Sequence, residues 1–164
     1  MKYVVDTNVA IVANGRPEIG GNQPPSLECR LASVDFLLEA LKNGKIYLDL
    51  EGAIAQEYNT YLNPMGAPGV GDQFYKEVMN SHPDRIIRVE LQKRSDGEYL
   101  DCPQILIDSG FDPSDRKFAA VAVHASATVA NSVDSDWIHH AAQLQTSGIS
   151  VTNLCGCDPT HWFD

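Results

Sequence analysis

Short runs of β-forming residues alternate along this chain with segments that carry helical signals. The runs are apolar and bounded by polar or turn-forming residues, which is typical of strands buried on both faces of a sheet. They lie at 2–5, 45–48, 85–91, 127–133 and 149–154. Because parallel neighbours need a crossover connection, the alternation predicts an α/β fold: a three-layer α/β/α sandwich around a parallel sheet of four or five strands.

Capping residues mark the expected helix boundaries. Ser26 is an N-cap candidate for a long helix that ends at Asn43-Gly44. Asp49 can cap a helix that runs to about residue 62, and Asp112-Pro113 is expected to open another that runs to about residue 125. The long helix is expected to bury one apolar face, formed by Leu31, Val34, Leu37, Leu38 and Leu41.

The chain has 164 residues, of which 43% are hydrophobic, enough for one domain with its own core. We expect that domain over residues 1–154, followed by a tail at 155–164. The longest uncharged, fairly apolar run, at 118–133, is shorter than the roughly 20 apolar residues of a membrane span. The first residues lack the apolar core of a secretory signal. The sequence therefore predicts a cytoplasmic protein with no membrane partner.

Four cysteines, Cys29, Cys102, Cys155 and Cys157, are expected to be reduced thiols in such a compartment. Cys155 and Cys157 are followed by His161, which invites a zinc interpretation. A structural zinc site usually needs four ligands at wider spacing, so reduced thiols in the tail are favoured over zinc.

Acidic residues dominate the charge, with 22 Asp and Glu against 12 Lys and Arg and a formal net charge of −10. This balance argues against nucleic-acid binding by bulk attraction. Ligands of parallel α/β sheets gather beyond the carboxyl ends of the strands. Several acids are expected there: Asp6 and Asp134 after two strands, Asp136 two residues further on, Asp115 in the first turn of a helix, and Glu57 on the helix after the second strand.

Glu57 gives the sharpest local signal among these acids. Leu50, Ile54 and Tyr61 are spaced as an apolar stripe on a helix, and Glu57 falls on that stripe. Because a carboxylate on a buried face needs a partner, Glu57 is expected to bind a cation or a basic residue.

Each acid alone also has an ordinary explanation. Asp6 can cap the following helix, Asp115 can interact with the dipole of its helix, and Asp134 can form a turn before an N-cap at Asp136. Glu57 can pair with a lysine or an arginine. Together, however, acids that converge on one crevice repel one another and lose hydration unless a cation compensates. The combined placement predicts a site for one or two Mg²⁺ or Mn²⁺ ions, which prefer oxygen ligands.

The segments around these acids resemble the motifs of PIN-domain ribonucleases, in the same order along residues 1–152. The resemblance implies a parallel α/β/α sandwich whose acids bind Mg²⁺ or Mn²⁺ and hydrolyse RNA. The segments that carry it are Val4-Val5-Asp6-Thr7-Asn8, Ile54-Ala55-Gln56-Glu57-Tyr58, Asp115-Arg116-Lys117-Phe118-Ala119-Ala120-Val121-Ala122 and Asn131-Ser132-Val133-Asp134-Ser135-Asp136-Trp137.

Carried over by position, the resemblance implies a catalytic and metal-binding quartet of Asp6, Glu57, Asp115 and Asp134, with Asp136 as an auxiliary metal ligand. It also implies that two polar residues, Asn8 and Ser132, support the site. Many family members of this size are VapC-like toxins that are silenced by an antitoxin protein and form homodimers. The loop at 16–25, the region 92–107 and the tail depart from the compact toxin pattern.

Basic residues near Asp115 suggest where a phosphate would bind. Arg116 and Lys117 follow it directly and are substrate-binding candidates. Residues 76–94 carry five basic against three acidic side chains, and no Lys or Arg occurs from residue 118 onward. Single-stranded or structured RNA could therefore enter over the 76–94 side, with bases stacked on Tyr or Trp. The alternative is an ordinary solvated surface with scattered charges.

Three function classes remain after this comparison. The leading one is a metal-dependent endoribonuclease with Asp6 and Asp134 as central ligands. A receiver-like domain with Asp6 as phospho-acceptor fits poorly, because Thr7 and Asn8 stand where further acids are expected. The third class is a catalytically silent RNA- or protein-binding module that keeps the same fold.

Overall fold

A computed structural model describes residues 1–15 and 24–156. Its strands form one five-stranded sheet, and every pair of neighbouring strands is parallel. The strands are β1 (Lys2–Val5), β2 (Lys45–Asp49), β3 (Ile86–Val89), β4 (Thr128–Asn131) and β5 (Val151–Asn153). They lie in the order β3-β2-β1-β4-β5, which confirms the predicted α/β sandwich with its parallel sheet.

Helices lie on both sides of this sheet. They are α1 (Thr7–Ala13), α2 (Leu27–Asn43), α3 (Ala53–Tyr61), α4 (Val70–Asn80), α5 (Gln104–Asp108), α6 (Arg116–Ala125), α7 (Asp136–His139) and α8 (Ala141–Thr146). Helices α1, α2 and α4 pack against one another, and α6 lies across β1, β2, β3 and β4. Small buried residues of α6, among them Ala119 and Ala122, let this helix approach the sheet closely.

The order of the strands reverses at β1. From β1 the chain winds outward to β2 and β3, and then returns to the other side of β1 to form β4 and β5. The carboxyl ends of β1 and β4 therefore flank a topological switch point, where α/β sheets form ligand crevices. Asp6 follows β1 directly, and Asp134 lies three residues after the end of β4.

The predicted helix caps are partly confirmed. The Ser26 side chain accepts a hydrogen bond from the Cys29 backbone N–H at 3.2 Å, and α2 ends before Gly44 as expected. Asp49 accepts hydrogen bonds from the first two backbone N–H groups of α3 at 2.7 and 2.8 Å. The expected start at Asp112 is wrong, because the Asp112 carboxylate caps a local turn at Ser114 and the helix begins three residues later.

The predicted apolar face of α2 is confirmed in part, because Val34 and Leu41 pack against the core as expected. Leu37 is fully buried, but Leu31 and Leu38 are each more than half exposed. The buried residues of this helix are Cys29, Ser33, Leu37 and Ala40, so small side chains that the prediction did not include share the core with Leu37. Ser33 can lie on this face because its hydroxyl donates to the Cys29 carbonyl oxygen and pairs with Ser132.

Two cysteines expected to be reduced form a disulfide instead. Cys29 in α2 and Cys155 after β5 are joined, with a Cα–Cα distance of 4.7 Å across 126 residues of sequence. Neither strand spacing nor composition could have revealed this pairing, because it depends on α2 lying beside the end of β5. Cys102 is a free, buried thiol, and burial raises its pKa to about 11.

Several predictions fall on residues outside the described ranges. These include most of the loop at 16–25 and the tail beyond residue 156, with Cys157 and His161. Within 1–15 and 24–156, no helix is both long and apolar enough to cross a membrane.

Candidate metal centre

Three aspartates meet at the switch point of the sheet. Carboxylate oxygens of Asp6, Asp115 and Asp134 all lie within 4.8 Å of one another. Asp6 follows β1 directly, with its backbone N–H bonded to the Ala130 carbonyl oxygen at 3.0 Å. Asp134 lies in the loop after β4, and Asp115 precedes α6, which crosses the sheet above both strands. Three separate parts of the chain thus supply the cluster.

The Asp6 carboxylate is held at both of its oxygens. Oδ1 accepts the Asn8 backbone N–H at 3.0 Å, which caps α1 as the sequence allowed. Oδ2 accepts the indole N–H of Trp137 at 2.6 Å. Asp6 and Trp137 are almost fully buried, so the orientation of this carboxylate is set before any ligand binds.

Trp137 ends the fourth motif, but its bond to Asp6 could not be predicted from the sequence. Its ring packs edge-on against Phe111, with the centroids 5.1 Å apart. A buried indole N–H must find an acceptor. A buried tryptophan in the sequence therefore indicates that an acceptor lies nearby, but the sequence alone does not identify that acceptor as Asp6.

Two asparagines, Asn8 and Asn131, form hydrogen bonds to the loop that carries Asp134. Asn8 Oδ1 accepts the Ser132 backbone N–H at 2.8 Å, and Asn8 Nδ2 donates to Asn131 Oδ1 at 2.9 Å. Asn131 in turn donates to the Asp134 carbonyl oxygen and to Asn153 Oδ1, both at 2.9 Å. Asn8 therefore joins α1 to the β4–α7 loop, while its role in supporting a site stays a prediction. Asn131 and Asn153 were not singled out from the sequence.

Ser132 connects the same loop to α2. Its hydroxyl lies 2.7 Å from the Ser33 hydroxyl, and both side chains are fully buried. The hydroxyl is thus paired inside the protein, where it fixes the loop next to Asp134.

Burial and repulsion from neighbouring carboxylates raise the pKa of every carboxyl in the cluster. Burial comes first in each case, followed for Asp115 and Asp134 by the charge of Asp6. The pKa rises to about 10 for Asp115 and to about 8 for Asp134. For Asp6, burial and the charge of Glu57 raise the pKa to about 6, against the lowering effect of its hydrogen bonds. The cluster therefore takes up protons or a cation near neutral pH.

Glu57 lies beside the cluster and is paired with a lysine. Its Oε2 is 2.5 Å from Lys117 Nζ, and its Oε1 accepts a short hydrogen bond from the Thr7 hydroxyl. The predicted stripe is wrong in two members, because Leu50 and Tyr61 are largely exposed. The alternative in which Glu57 pairs with a basic residue is the arrangement observed.

The side chain of Arg116, a substrate-binding candidate, is bonded within the protein. Its guanidinium donates twice to the Phe111 carbonyl oxygen, at 3.0 and 2.9 Å, and forms an ion pair with Glu98. Its side chain is 11% exposed. The neighbouring Lys117 is also bonded internally, to Glu57 and to the Ser114 carbonyl oxygen.

Asp136 connects the cluster to the loop before α6. Its Oδ2 accepts the Asp112 backbone N–H at 2.9 Å, and its own backbone N–H donates to Asp134 Oδ1 at 2.9 Å. Its negative charge helps to raise the pKa of Asp115 and Asp134. The structure thus gives Asp136 a supporting place next to the cluster.

The basic stretch at 76–94 is largely paired within the protein. Arg85 donates to the Leu41 and Lys42 carbonyl oxygens at the end of α2. Lys93 pairs with Glu51 at 3.2 Å, and Arg94 pairs with Asp96 at 3.1 Å. The side chains of Lys76 and Arg88 are exposed.

The three-aspartate cluster fits a small divalent cation. Oxygens that share one Mg²⁺ at about 2.1 Å lie at most about 4.2 Å apart. Small side-chain shifts therefore bring Asp6, Asp115 and Asp134 onto a single ion. Asp115 occupies the N-cap position of α6 but makes no capping hydrogen bond with its side chain, so its oxygens can serve as ligands. Carboxylates select Mg²⁺ and Mn²⁺ over softer metals.

Comparisons of the chain with protein-family models, with curated proteins and with solved structures gave no match. The likeness to PIN-domain ribonucleases therefore rests on the four motifs of this chain alone and stays a prediction.

Proposed function

We propose that the chain is a metal-dependent endoribonuclease that hydrolyses RNA phosphodiester bonds with Mg²⁺ or Mn²⁺. The meeting of Asp6, Asp115 and Asp134 within 4.8 Å at the switch point is the observation that carries this proposal. Phosphodiester hydrolysis needs a site that activates water and neutralises the charge of the phosphate. RNA is proposed as the substrate because the same aspartates stand in the motifs that resemble PIN domains.

The proposed roles follow from the environment of each side chain. Asp6, Asp115 and Asp134 would hold the ion, which when bound lowers the pKa of water and stabilises negative charge on the phosphate. Trp137 and Asn8 hold the Asp6 carboxylate in one orientation. A carboxylate oxygen that is not used as a ligand would accept a proton from the attacking water, whose oxygen would bond to phosphorus as the bond to the leaving ribose oxygen breaks. The leaving oxygen would take up a proton from solvent.

The direct test is cleavage of a 5′-labelled single-stranded RNA with Mn²⁺ and with a chelator. We expect cleavage with Mn²⁺, none with chelator, and loss of cleavage in Asp6→Asn and Asp134→Asn. Asp84→Asn is the matched control, because this aspartate side chain is 87% exposed and lies outside the cluster. Full metal-dependent cleavage by Asp6→Asn would rule out the proposal.

A binding module without cleavage is the second candidate. The observation that favours it is that Arg116 and Lys117, the two cations that follow Asp115, are paired inside the protein. Their charged groups are therefore not positioned to contact a phosphate. Tight Mn²⁺ binding without cleavage of any RNA would support this candidate. The phospho-acceptor alternative has less support, because Asp6 is 3% exposed and both its oxygens already accept hydrogen bonds.

An antitoxin partner and a homodimer are further proposals that rest on the PIN resemblance. A cytoplasmic location is proposed on the sequence alone. The disulfide between Cys29 and Cys155 bears against it, since disulfides persist mainly in oxidising compartments.

A further inference from the structure

A fixed positive charge lies at the edge of the three-aspartate cluster. Lys117 is 9% exposed, and its ammonium group is 2.5 Å from Glu57 Oε2 while it also donates to the Ser114 carbonyl oxygen. Its ammonium group also lies 4.8 Å from the centre of the Phe118 ring. The ammonium group is therefore held by Glu57 and Ser114 in a nearly buried position.

Glu57 is fully engaged by this arrangement. One carboxylate oxygen accepts the Thr7 hydroxyl, and the other receives the ammonium of Lys117. Glu57 also lies beside Asp6, because the Thr7 hydroxyl that it accepts belongs to the residue that follows Asp6. In agreement with this geometry, the charge of Glu57 raises the Asp6 pKa while the charge of Lys117 lowers it. Asp6 and Glu57 together are therefore the carboxylates that a second ion at this edge would have to share.

We propose that Lys117 restricts the centre to a single divalent ion. A second Mg²⁺ or Mn²⁺ between Asp6 and Glu57 would have Glu57 as a ligand, and the Lys117 ammonium group is at hydrogen-bond distance from that carboxylate. The ion and the ammonium group would then lie close together, and like charges repel strongly at such range. Lys117 is thus a positioning residue that keeps Glu57 out of the coordination sphere and leaves the ion to Asp6, Asp115 and Asp134. This inference rests on the proposed metal centre.

The test counts Mn²⁺ ions bound per chain, by titration with electron paramagnetic resonance detection of free Mn²⁺. The wild-type protein is expected to bind one Mn²⁺. Lys117→Met removes the positive charge at similar volume, which leaves Glu57 and Asp6 unneutralised, and is expected to bind two. Adding Glu57→Gln to Lys117→Met removes the ligand for the second ion and is expected to return the count to one.

Two further variants separate this effect from a loss of folding. Lys117→Gln keeps a hydrogen-bond donor for Glu57 while it removes the charge, and it is also expected to bind two ions. Lys45→Met is the matched control, because Lys45 is exposed at the amino end of β2, and it is expected to bind one.

The outcomes distinguish this inference from the proposed function. A wild-type protein that binds no Mn²⁺ overturns the metal centre and the inference with it. Two Mn²⁺ ions bound to the wild-type protein, or one ion bound to folded Lys117→Met or Lys117→Gln, would overturn the inference. Either result would still agree with the proposed metal centre.

Discussion

At the scale of single residues, two acids of the cluster also serve the local structure. Asp6 caps α1, and Asp134 accepts the backbone N–H of Asp136. The ordinary explanations of these two acids and the metal-site explanation are therefore compatible, because a carboxylate has several lone pairs. What sequence reasoning could not supply was the buried donor that orients Asp6, the indole of Trp137.

Replacing Trp137 by Phe is expected to weaken Mn²⁺ binding about ten-fold or more, the usual effect of losing a group that orients a ligand. Phe keeps an aromatic ring against Phe111 but lacks the N–H that donates to Asp6 Oδ2. That hydrogen bond lowers the pKa of Asp6, so its loss also moves the onset of metal binding to higher pH. Mn²⁺ titrations between pH 5 and 9 measure both effects.

Phe111→Leu is the control for packing alone. It removes the ring contact with Trp137 while the indole N–H remains available to Asp6. We expect lower stability with little change in Mn²⁺ affinity. Equal weakening of metal binding in both variants would show that ring packing, and not the hydrogen bond, holds Asp6.

At the scale of elements, the sequence predicted the strands better than the contacts between distant segments. Local signals located β1 and the ends of α2, because strand runs and caps depend on neighbouring residues. The start of α6 was missed by three residues, since Asp112 forms a turn of its own. Asn8 was placed at the site by its motif, but its bonds to the loop after β4 span more than 120 residues.

Asn8→Ala is expected to destabilise the fold by about 2–3 kcal/mol, because it leaves buried backbone donors without an acceptor. The Ser132 and Val133 N–H groups both donate to Asn8 Oδ1. Urea unfolding measures the change in free energy. Asn80→Ala removes an exposed amide that bonds only within α4 and its end, and should cost less than about 0.5 kcal/mol. A similarly small cost for Asn8→Ala would contradict the expectation that Asn8 stabilises the loop after β4.

Reduction of the disulfide between Cys29 and Cys155 is expected to lower the free energy of unfolding by about 2–4 kcal/mol. The bond joins α2 to the end of β5 across 126 residues, so it strongly restricts the unfolded chain. Urea unfolding with and without a dithiol reductant measures this change, and Cys29→Ser should match the reduced protein. A thiol titration in denaturant that gives the same count before and after reduction would show that the bond does not form.

At the scale of the whole molecule, the strand order explains how an acidic chain can favour a cation at one place. Because β1 and β4 are adjacent, residues 6 and 134 meet although the chain between them covers most of the domain. The sequence located this crevice through the general behaviour of parallel sheets. It could not establish that Glu57 is neutralised by Lys117, since that pair depends on where α3 and α6 lie relative to each other.

The raised pKa values make the stability of the whole protein depend on pH and on metal. Aspartates have a pKa near 3.8 when unperturbed, and burial with repulsion from neighbouring carboxylates raises it to about 6, 8 and 10 for Asp6, Asp134 and Asp115 in the fold. Between these limits the folded state binds more protons than the unfolded state. Its stability in chelator should therefore fall as pH rises from about 4 to about 10.

A bound Mg²⁺ should reverse this loss, because it favours the ionised carboxylates in the fold. We expect the melting temperature with Mg²⁺ to exceed that with chelator by a margin that grows from pH 5 to pH 9. In chelator at pH 8 the Asp115 carboxyl must take up a proton as the chain folds, whereas the amide in Asp115→Asn is neutral in both states. Asp115→Asn should therefore melt higher than the wild type in chelator at pH 8, and it should respond less to Mg²⁺ because a ligand is lost. A margin that does not change with pH, or an Asp115→Asn protein that melts lower in chelator, would show that these carboxylates do not compete between protons and a metal ion.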